Sequence, residues 1–176
     1  MRILISGATG LIGTALTARL TADGHHPIRL VRASPAGSDL LWDPAAGSLP
    51  GDALDGVDAV VNLAGAGIGD HRWTRGYRAE ILASRIGATS TLATAIAETK
   101  RPITFLSGSA VGAYGGRGDE VLTERSAPGT GFLADVCRQW EAAATPAGRH
   151  GARVVLLRTG IVLARQGGAL GKQLPL

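Results

Sequence analysis

Cysteine, lysine and the large aromatic residues are scarce in this 176-residue chain: one Cys, one Met, two Lys, two Tyr and two Phe. A single thiol, Cys137, cannot close an internal disulfide and has no neighbours at metal-ligand spacing. That excludes a disulfide-stapled scaffold and agrees with a reducing compartment. No cluster of histidine, cysteine and carboxylate residues has ligand spacing, so no metal is expected. No run approaches the ~20 apolar residues of a membrane span. Met1-Arg2 leads directly into a strand-like run, without the apolar segment and cleavage site of a secretory leader. A cytoplasmic protein with no membrane partner is the default expectation. Runs of basic residues are missing too. The net charge of +4 comes from 16 arginines scattered along the chain, which does not point to nucleic acid. Arginines serving the phosphates of a small ligand account for the sign equally well.

What is present is ordinary for a globular domain: 45% hydrophobic and 18% charged residues. One domain spanning 1–176 is expected, long enough to bury roughly two-thirds of its unfolded surface. Short apolar runs alternate with stretches of helical periodicity, the signature of βαβ units and a parallel sheet. The runs are Ile3-Leu4-Ile5, Ile28 to Val31, Leu40-Leu41-Trp42, Ala59 to Leu63, Ile103 to Leu106 and Val154 to Leu157. Ile12, Leu16 and Leu20 share one helix face, ending near Asp23-Gly24. Ile81 to Ile96 mark a second helix, stopped before Arg101-Pro102. Phe132, Val136, Trp140 and Ala144 mark a third, ending near Pro146 or Gly148. These patterns offer no clear exposed seam, which leaves the oligomeric state open.

Gly7-Ala8-Thr9-Gly10-Leu11-Ile12-Gly13 lies where the first strand gives way to the first helix. Three glycines spaced by two residues are weak evidence alone, but this is the one place where the physics needs them. Gly7 permits a tight turn, Gly10 lets a pyrophosphate approach bare backbone, and Gly13 lets the helix pack close. The helix N-terminus then offers unpaired N–H groups and partial positive charge to phosphates. After the second strand the chain reads Val31-Arg32-Ala33-Ser34, with no acid before Asp39. An acid there would read a ribose hydroxyl, whereas an arginine can pair with a 2′-phosphate. Arg32 therefore favours NADP(H), with NAD(H) as the alternative; an ordinary solvated arginine is the competing reading.

With Gly7 to Gly13, Arg32 and Asn62-Leu63-Ala64-Gly65, the chain resembles the extended short-chain dehydrogenase/reductase superfamily. More narrowly, it resembles the NAD-dependent epimerase/dehydratase branch, also labelled nucleoside-diphosphate-sugar epimerase-like. "RWT" at 72–74, "SRIGAT" at 84–89, "SGSAVGAYGGRGDE" at 107–120, "FLADVCRQWE" at 132–141 and "LRTGIVLARQGGAL" at 157–170 carry the narrower likeness. The resemblance implies a Rossmann-type, doubly wound α/β fold in three layers, α/β/α, binding NADP(H) and a small polar or nucleotide-linked substrate. It also implies a C-terminal substrate domain, most of which is expected to be absent from a chain stopping at Leu176. By the same resemblance, Gly7, Thr9, Gly10, Leu11, Ile12, Gly13, Arg32, Leu63, Ala64, Gly65, Arg85, Ser107 and Gly160 are cofactor-binding candidates. Arg158 to Ile161 are expected to follow the sixth strand toward the nicotinamide. Arg85 has a scaffold reading beside its functional one, and Asn62 one as a satisfier of backbone groups.

Members of the superfamily typically use a tyrosine, a lysine four residues later and a serine. An unperturbed phenol near pKa 10 is a poor base at neutral pH, hence the lysine. Ser109 matches the serine, with Ser107 the weaker candidate. The pair is missing: the helix that should carry it reads Phe132-Leu133-Ala134-Asp135-Val136-Cys137. Tyr114, five residues after Ser109, is the remaining tyrosine candidate, with Arg117 as a neighbour to assist it. Against this stands a Tyr114 that packs on its loop with its hydroxyl in solvent. His71 is a substrate-loop candidate, though a lone loop histidine is usually unremarkable. A reaction with a non-standard catalytic set, Ser109 and Tyr114, competes with a non-catalytic NADP(H)-binding sensor or scaffold.

Overall fold

The computed structural model describes residues 1–165 and 167–173, so Gln166 of the 157–170 motif lies outside the described residues. The strands are β1 (Arg2–Ser6), β2 (His26–Val31), β3 (Leu40–Leu41), β4 (Ala59–Asn62), β5 (Thr104–Ala110), β6 (Arg153–Thr159) and the short β7 (Leu163–Ala164). The helices are α1 (Leu11–Ala22), α2 (Arg75–Thr99), α3 (Phe132–Ala144) and α4 (Gly168–Gln173). Six strands form one sheet in the order β3-β2-β1-β4-β5-β6, and every pairing is parallel. The order reverses between β1 and β4, the switch point where doubly wound sheets place ligands beyond the strand C-termini.

Side chains alternate across this sheet, and both faces are covered. Leu4, Ile28, Leu30, Val60 and Phe105 face Ala88, Leu92, Ala93 and Ile96 of α2, with Ala144 at the end of α3. From the same strands Ile3, Ile5, Ala59 and Val61 point the other way, against Leu16 and Leu20 of α1. The expected α/β/α layering is therefore present.

Two strands run further than their apolar stretches suggested. β5 continues through Ser107-Gly108-Ser109-Ala110, and β6 through Arg158-Thr159, with Ser109 level with Arg158 in the register. Ser109 thus lies within a strand, where a position after it was expected, and Arg158 and Thr159 also belong to a strand. Gly108 lets β5 lie close under α3 and beside β4: a Cβ there would come within 2.8 Å of the Trp140 ring and 3.0 Å of the Asn62 carbonyl oxygen. α2 begins six residues before Ile81, where the side chain of Thr74 accepts from the Tyr77 N–H and starts the helix.

Candidate functional site

Ser6 of β1 is level with Leu30 of β2 and with Asn62 of β4, so the glycine turn, Arg32 and the 63–65 loop leave one edge of the sheet together. Gly7 has φ +67°, and a Cβ would stand 2.6 Å from the Leu63 carbonyl carbon and 2.9 Å from the Ala64 nitrogen. It therefore does more than turn the chain: it lets the β1 and β4 loops touch. Gly13 is closed off by the turn itself, since a Cβ would come within 2.7 Å of the Ala8 Cα. Gly10 differs from both. A Cβ there would meet only the Gly7 carbonyl oxygen, at 3.3 Å. Gly10 is also the N-cap of α1, with no side-chain cap and no acid in the first turn. Leu11, Ile12 and Gly13 follow it with the N–H groups that a helix start leaves without an intrahelical partner. Thr9 stands exposed in the same turn.

Arg32 is exposed directly after β2. Asp39, the first acid downstream, is engaged elsewhere: Arg29 donates to both its oxygens, at 2.7 and 2.6 Å, and the Ala36 N–H donates at 3.1 Å. The hydrogen bonds from Arg29 hold the Asp39 carboxyl below the usual carboxylate range. The first acid after β2 is thus committed to a neighbour, and Arg32 is open to solvent.

Beyond β4 the loop is pinned by scaffold contacts. Buried Asn62 accepts from Ser6 Oγ at 2.6 Å and the Ala64 N–H at 3.3 Å, and donates to Thr89 Oγ1 at 2.8 Å. Thr89 Oγ1 also accepts from Trp140 Nε1 at 2.9 Å. β1, β4, α2 and α3 are thus tied together through the Asn62 amide and the Thr89 hydroxyl. Arg85 is half-buried and donates to the carbonyls of Ala66 and Ile81 at 2.9 and 3.0 Å, with its guanidinium 5.1 Å from the Trp140 ring centre. Burial lowers its pKa from the ordinary value. A Cβ on Gly65 would stand 3.1 Å from Arg85 Cγ, so Gly65 makes room for that arginine. The contacts of Arg85 are scaffold contacts, and the backbone of Leu63 and Ala64 lies against Gly7.

A charged network joins β5, α3 and β6. Ser109 Oγ donates to Glu141 Oε1 at 2.6 Å. Arg158 donates to both Glu141 oxygens, each at 2.8 Å, and to the Tyr114 hydroxyl oxygen at 2.8 Å. Ser109 is 2% and Tyr114 7% exposed, so both are committed to this network; the Tyr114 hydroxyl is not in solvent. Arg117, expected beside Tyr114, instead pairs with Glu120 at 2.7 Å and donates to the Ala127 carbonyl. The cation on the tyrosine is Arg158, from a strand 44 residues away. Hydrogen bonds from Arg158 hold the Glu141 carboxyl below its ordinary range, and burial lifts the Cys137 thiol above its own. Ser107 is fully buried with one long bond, 3.4 Å, to the Gly108 carbonyl. Gly160 is exposed at the end of β6, with open space where a Cβ would stand.

His71 makes an edge-to-face contact with Tyr77 at 4.9 Å, one of several contacts that fold the 66–74 loop back on α2. Two open depressions, of about 590 and 710 Å³, lie elsewhere: one includes Arg2, His25 and Asp52, the other Leu49, Thr94 and Glu98. Neither is lined by the glycine turn. Among the described residues no group of three or more His, Cys, Asp or Glu side chains is placed to hold a metal, and no helix is long and apolar enough to cross a membrane.

Sequence reasoning singled out Ser109 and Tyr114 without the groups that bind them. Glu141 stood in view within "RQWE", but its partners lie on other elements, and no local spacing reports that.

A family model described as Epimerase, the NAD dependent epimerase/dehydratase family, matches residues 3–166. An epimerase family protein of Mycobacterium leprae, ML0860, is 45% identical over 175 residues, 99% of this chain and 57% of its own. A crystal structure of the nucleoside-diphosphate sugar epimerase from Corynebacterium glutamicum superposes with TM-score 0.87 at 43% identity, over 98% of this chain and 36% of that one. A crystal structure of human epimerase family protein SDR39U1 (isoform2) with NADPH gives TM-score 0.87 at 37% identity, over 99% of this chain and 59% of that one. The chain spans less than two-thirds of the length of each of these three relatives.

Proposed function

The chain belongs to the NAD dependent epimerase/dehydratase family, and from that premise we propose that it binds NADP(H) and carries an oxidoreductase- or epimerase-like reaction on a small polar or nucleotide-linked substrate. The observation that carries the reading is the pairing of two features at one sheet edge. Gly10 is an uncapped helix start with room over its backbone, and Arg32 is an exposed cation at the end of the adjacent strand. The first suits a pyrophosphate and the second a 2′-phosphate. The commitment of Asp39 to Arg29 removes the acid that would favour NAD. The NADPH in the human relative's crystal structure supports the same choice.

The residues present fit the dinucleotide. Leu11, Ile12 and Gly13 would face the pyrophosphate with their backbone N–H groups, Arg32 the 2′-phosphate, and the 63–65 loop the cleft floor. The bound nicotinamide would supply hydride chemistry. For proton handling the chain offers Ser109 and Tyr114, without a tyrosine–lysine pair. A sensor or scaffold is the second reading, and the absence of that pair favours it: α3 carries Phe132 and Val136 instead.

Titration calorimetry with NADPH, NADP, NADH and NAD tests the binding reading. Binding of the 2′-phosphorylated pair alone is expected; equal affinity for all four removes the role given to Arg32, and no binding removes the dinucleotide reading. Bound NADPH without turnover of any carbonyl or sugar-nucleotide substrate would favour the sensor.

A further inference from the structure

We propose that the exposed segment Arg72 to Arg78 forms a second ligand site, in which Arg72, Arg75 and Arg78 hold phosphate and Trp73 stacks a flat ring, so that it takes a nucleoside diphosphate. The inference deepens the substrate half of the proposed function, and it rests on that reading only in taking this ligand to be substrate.

Charge is out of balance in this segment. Arg72, Arg75 and Arg78 are all exposed and stand three residues apart. Arg19, Arg29, Arg117, Arg138 and Arg158 each pair with a carboxylate, whereas these three make no ion pair among the described residues. Between Leu63 and Ala79 the one acid is Asp70, and its carboxylate lies over the backbone of Gly67. The helix gains nothing from the arginines. Cations oppose the macrodipole at a helix start, and the first turn of α2 holds no acid to offset them. A breach of local rules with no compensation inside the chain marks a functional site.

Aromatic rings supply the second half of the chemistry. Trp73 is 38% exposed, against 4% for Trp42 and 8% for Trp140. Its Nε1 donates to the Ile68 carbonyl at 2.7 Å, and its ring meets Phe132 edge-on at 5.4 Å. The Arg78 guanidinium lies 5.9 Å from the Trp73 ring centre and 5.4 Å from that of Phe132. It is held by ring faces and not by an acid, which leaves its N–H groups for an anion. The chain behind is fixed: Ala66 N–H donates to Ser84 Oγ at 3.0 Å, and the Tyr77 hydroxyl donates to the Gly67 carbonyl. A platform ordered beforehand loses little freedom on binding.

Position follows from the topology. α2 joins β4 to the parallel β5, and α3 lies between β5 and the parallel β6. Helices that join parallel strands begin at the C-terminal edge of the sheet, where ligands bind. The platform therefore shares an edge with the glycine turn but no residue with it. Guanidinium groups match phosphate oxygens, and aromatic faces stack bases. A neutral sugar would leave three charges unanswered, and inorganic phosphate would leave Trp73 unused.

Two probes test this, UDP and uridine, titrated into the 176-residue chain with and without saturating NADP. Calorimetry gives each Kd, and acrylamide quenching of fluorescence reads Trp73 above the two buried tryptophans. UDP is expected to shield Trp73 and to bind at least about tenfold more tightly than uridine. Its Kd should stay within about twofold when NADP is present. The double substitution Arg72→Gln with Arg75→Gln should weaken UDP at least about tenfold and uridine less than about twofold. Trp73→Leu should weaken both probes, by about fivefold or more. UDP that does not bind, binds no tighter than uridine, leaves Trp73 open to acrylamide or ignores the arginine substitutions overturns the inference. UDP displaced by NADP also overturns it, because that UDP would occupy the dinucleotide site. The wild-type comparisons decide the matter even if a variant does not fold. Failure of the dinucleotide reading shows separately, as absence of NADP binding, and UDP is then read on the dinucleotide-free chain.

Discussion

Arg32 and Gly10 carry the cofactor reading at the scale of single residues, and each makes a different demand on a ligand. Arg32 is exposed, so its charge interacts with a 2′-phosphate or with water. Arg32→Glu should weaken NADPH binding by more than about tenfold, from a lost charge-assisted pair of ~1.5–3 kcal/mol, and leave NADH nearly unchanged. Calorimetry with both cofactors checks it; equal losses would show that Arg32 does not read the phosphate. Gly10 has space above it and only the Gly7 carbonyl oxygen near a would-be Cβ. Gly10→Val should therefore leave a folded protein and abolish NADPH binding by filling the approach to the N–H groups, at least tenfold in Kd. An unaltered Kd would remove the phosphate-loop assignment. The positions of both residues were legible in the sequence because each follows locally from the end of a strand. Glu141 was not legible, because its role exists only once α3 has packed on β5 and β6.

At the scale of elements, the α3–β6 ion pair predicts how stability depends on acid. Arg158 lowers the Glu141 pKa in the folded chain. A depressed carboxyl contributes stability that is fully present above its unfolded pKa of about 4.3 and is lost as pH falls through the folded value. Wild type should therefore be more stable than Glu141→Gln at neutral pH, by about 1–3 kcal/mol for the lost charge-assisted pair, and the gap should narrow progressively as pH falls below about 4.3. Thermal melts at pH 7, 5, 4 and 3 measure it; a gap that does not narrow at all below pH 5 would show that the pair contributes by shape alone. The same elements mark the limit of pattern reading. The apolar cores of β5 and β6 were visible as Ile103 to Leu106 and Val154 to Leu157, but their C-terminal halves were not. Ser107, Gly108, Ser109, Arg158 and Thr159 carry no period-2 apolar signal; they are strand because each partner supplies the ladder, down to Ala110 opposite Thr159. The start of α2 was hidden for a related reason: its first turn, Arg75 to Arg78, is mostly polar, and its cap, Thr74, is one hydroxyl.

For the molecule as a whole, the strand order reverses between β1 and β4, and the proposed dinucleotide site lies at the end of these strands, beside two loops that already touch through Gly7, Leu63 and Ala64. The alternation of apolar runs and helical stretches was enough to expect the layers. The switch point needed pairing information that the sequence holds only through its resemblance. A cleft assembled from β1, β2 and β4 exists only when the sheet is formed, so a dinucleotide bound there binds the native state and not the unfolded chain. Linkage then fixes the size of the effect: NADPH at about 100 times its Kd should add about 2.7 kcal/mol. For a chain of this length that corresponds to a rise in Tm of about 5–10 °C. NADH at the same concentration should raise Tm less, by the ratio of affinities that Arg32 imposes. In Arg32→Glu the NADPH rise should shrink to that of NADH, while in Gly10→Val neither cofactor should move Tm. Differential scanning fluorimetry on the three proteins separates the two contributions. A rise that survives Gly10→Val would place the pyrophosphate away from the Gly10 helix start, leaving Arg32 and the 63–65 loop as the contacts that hold the dinucleotide.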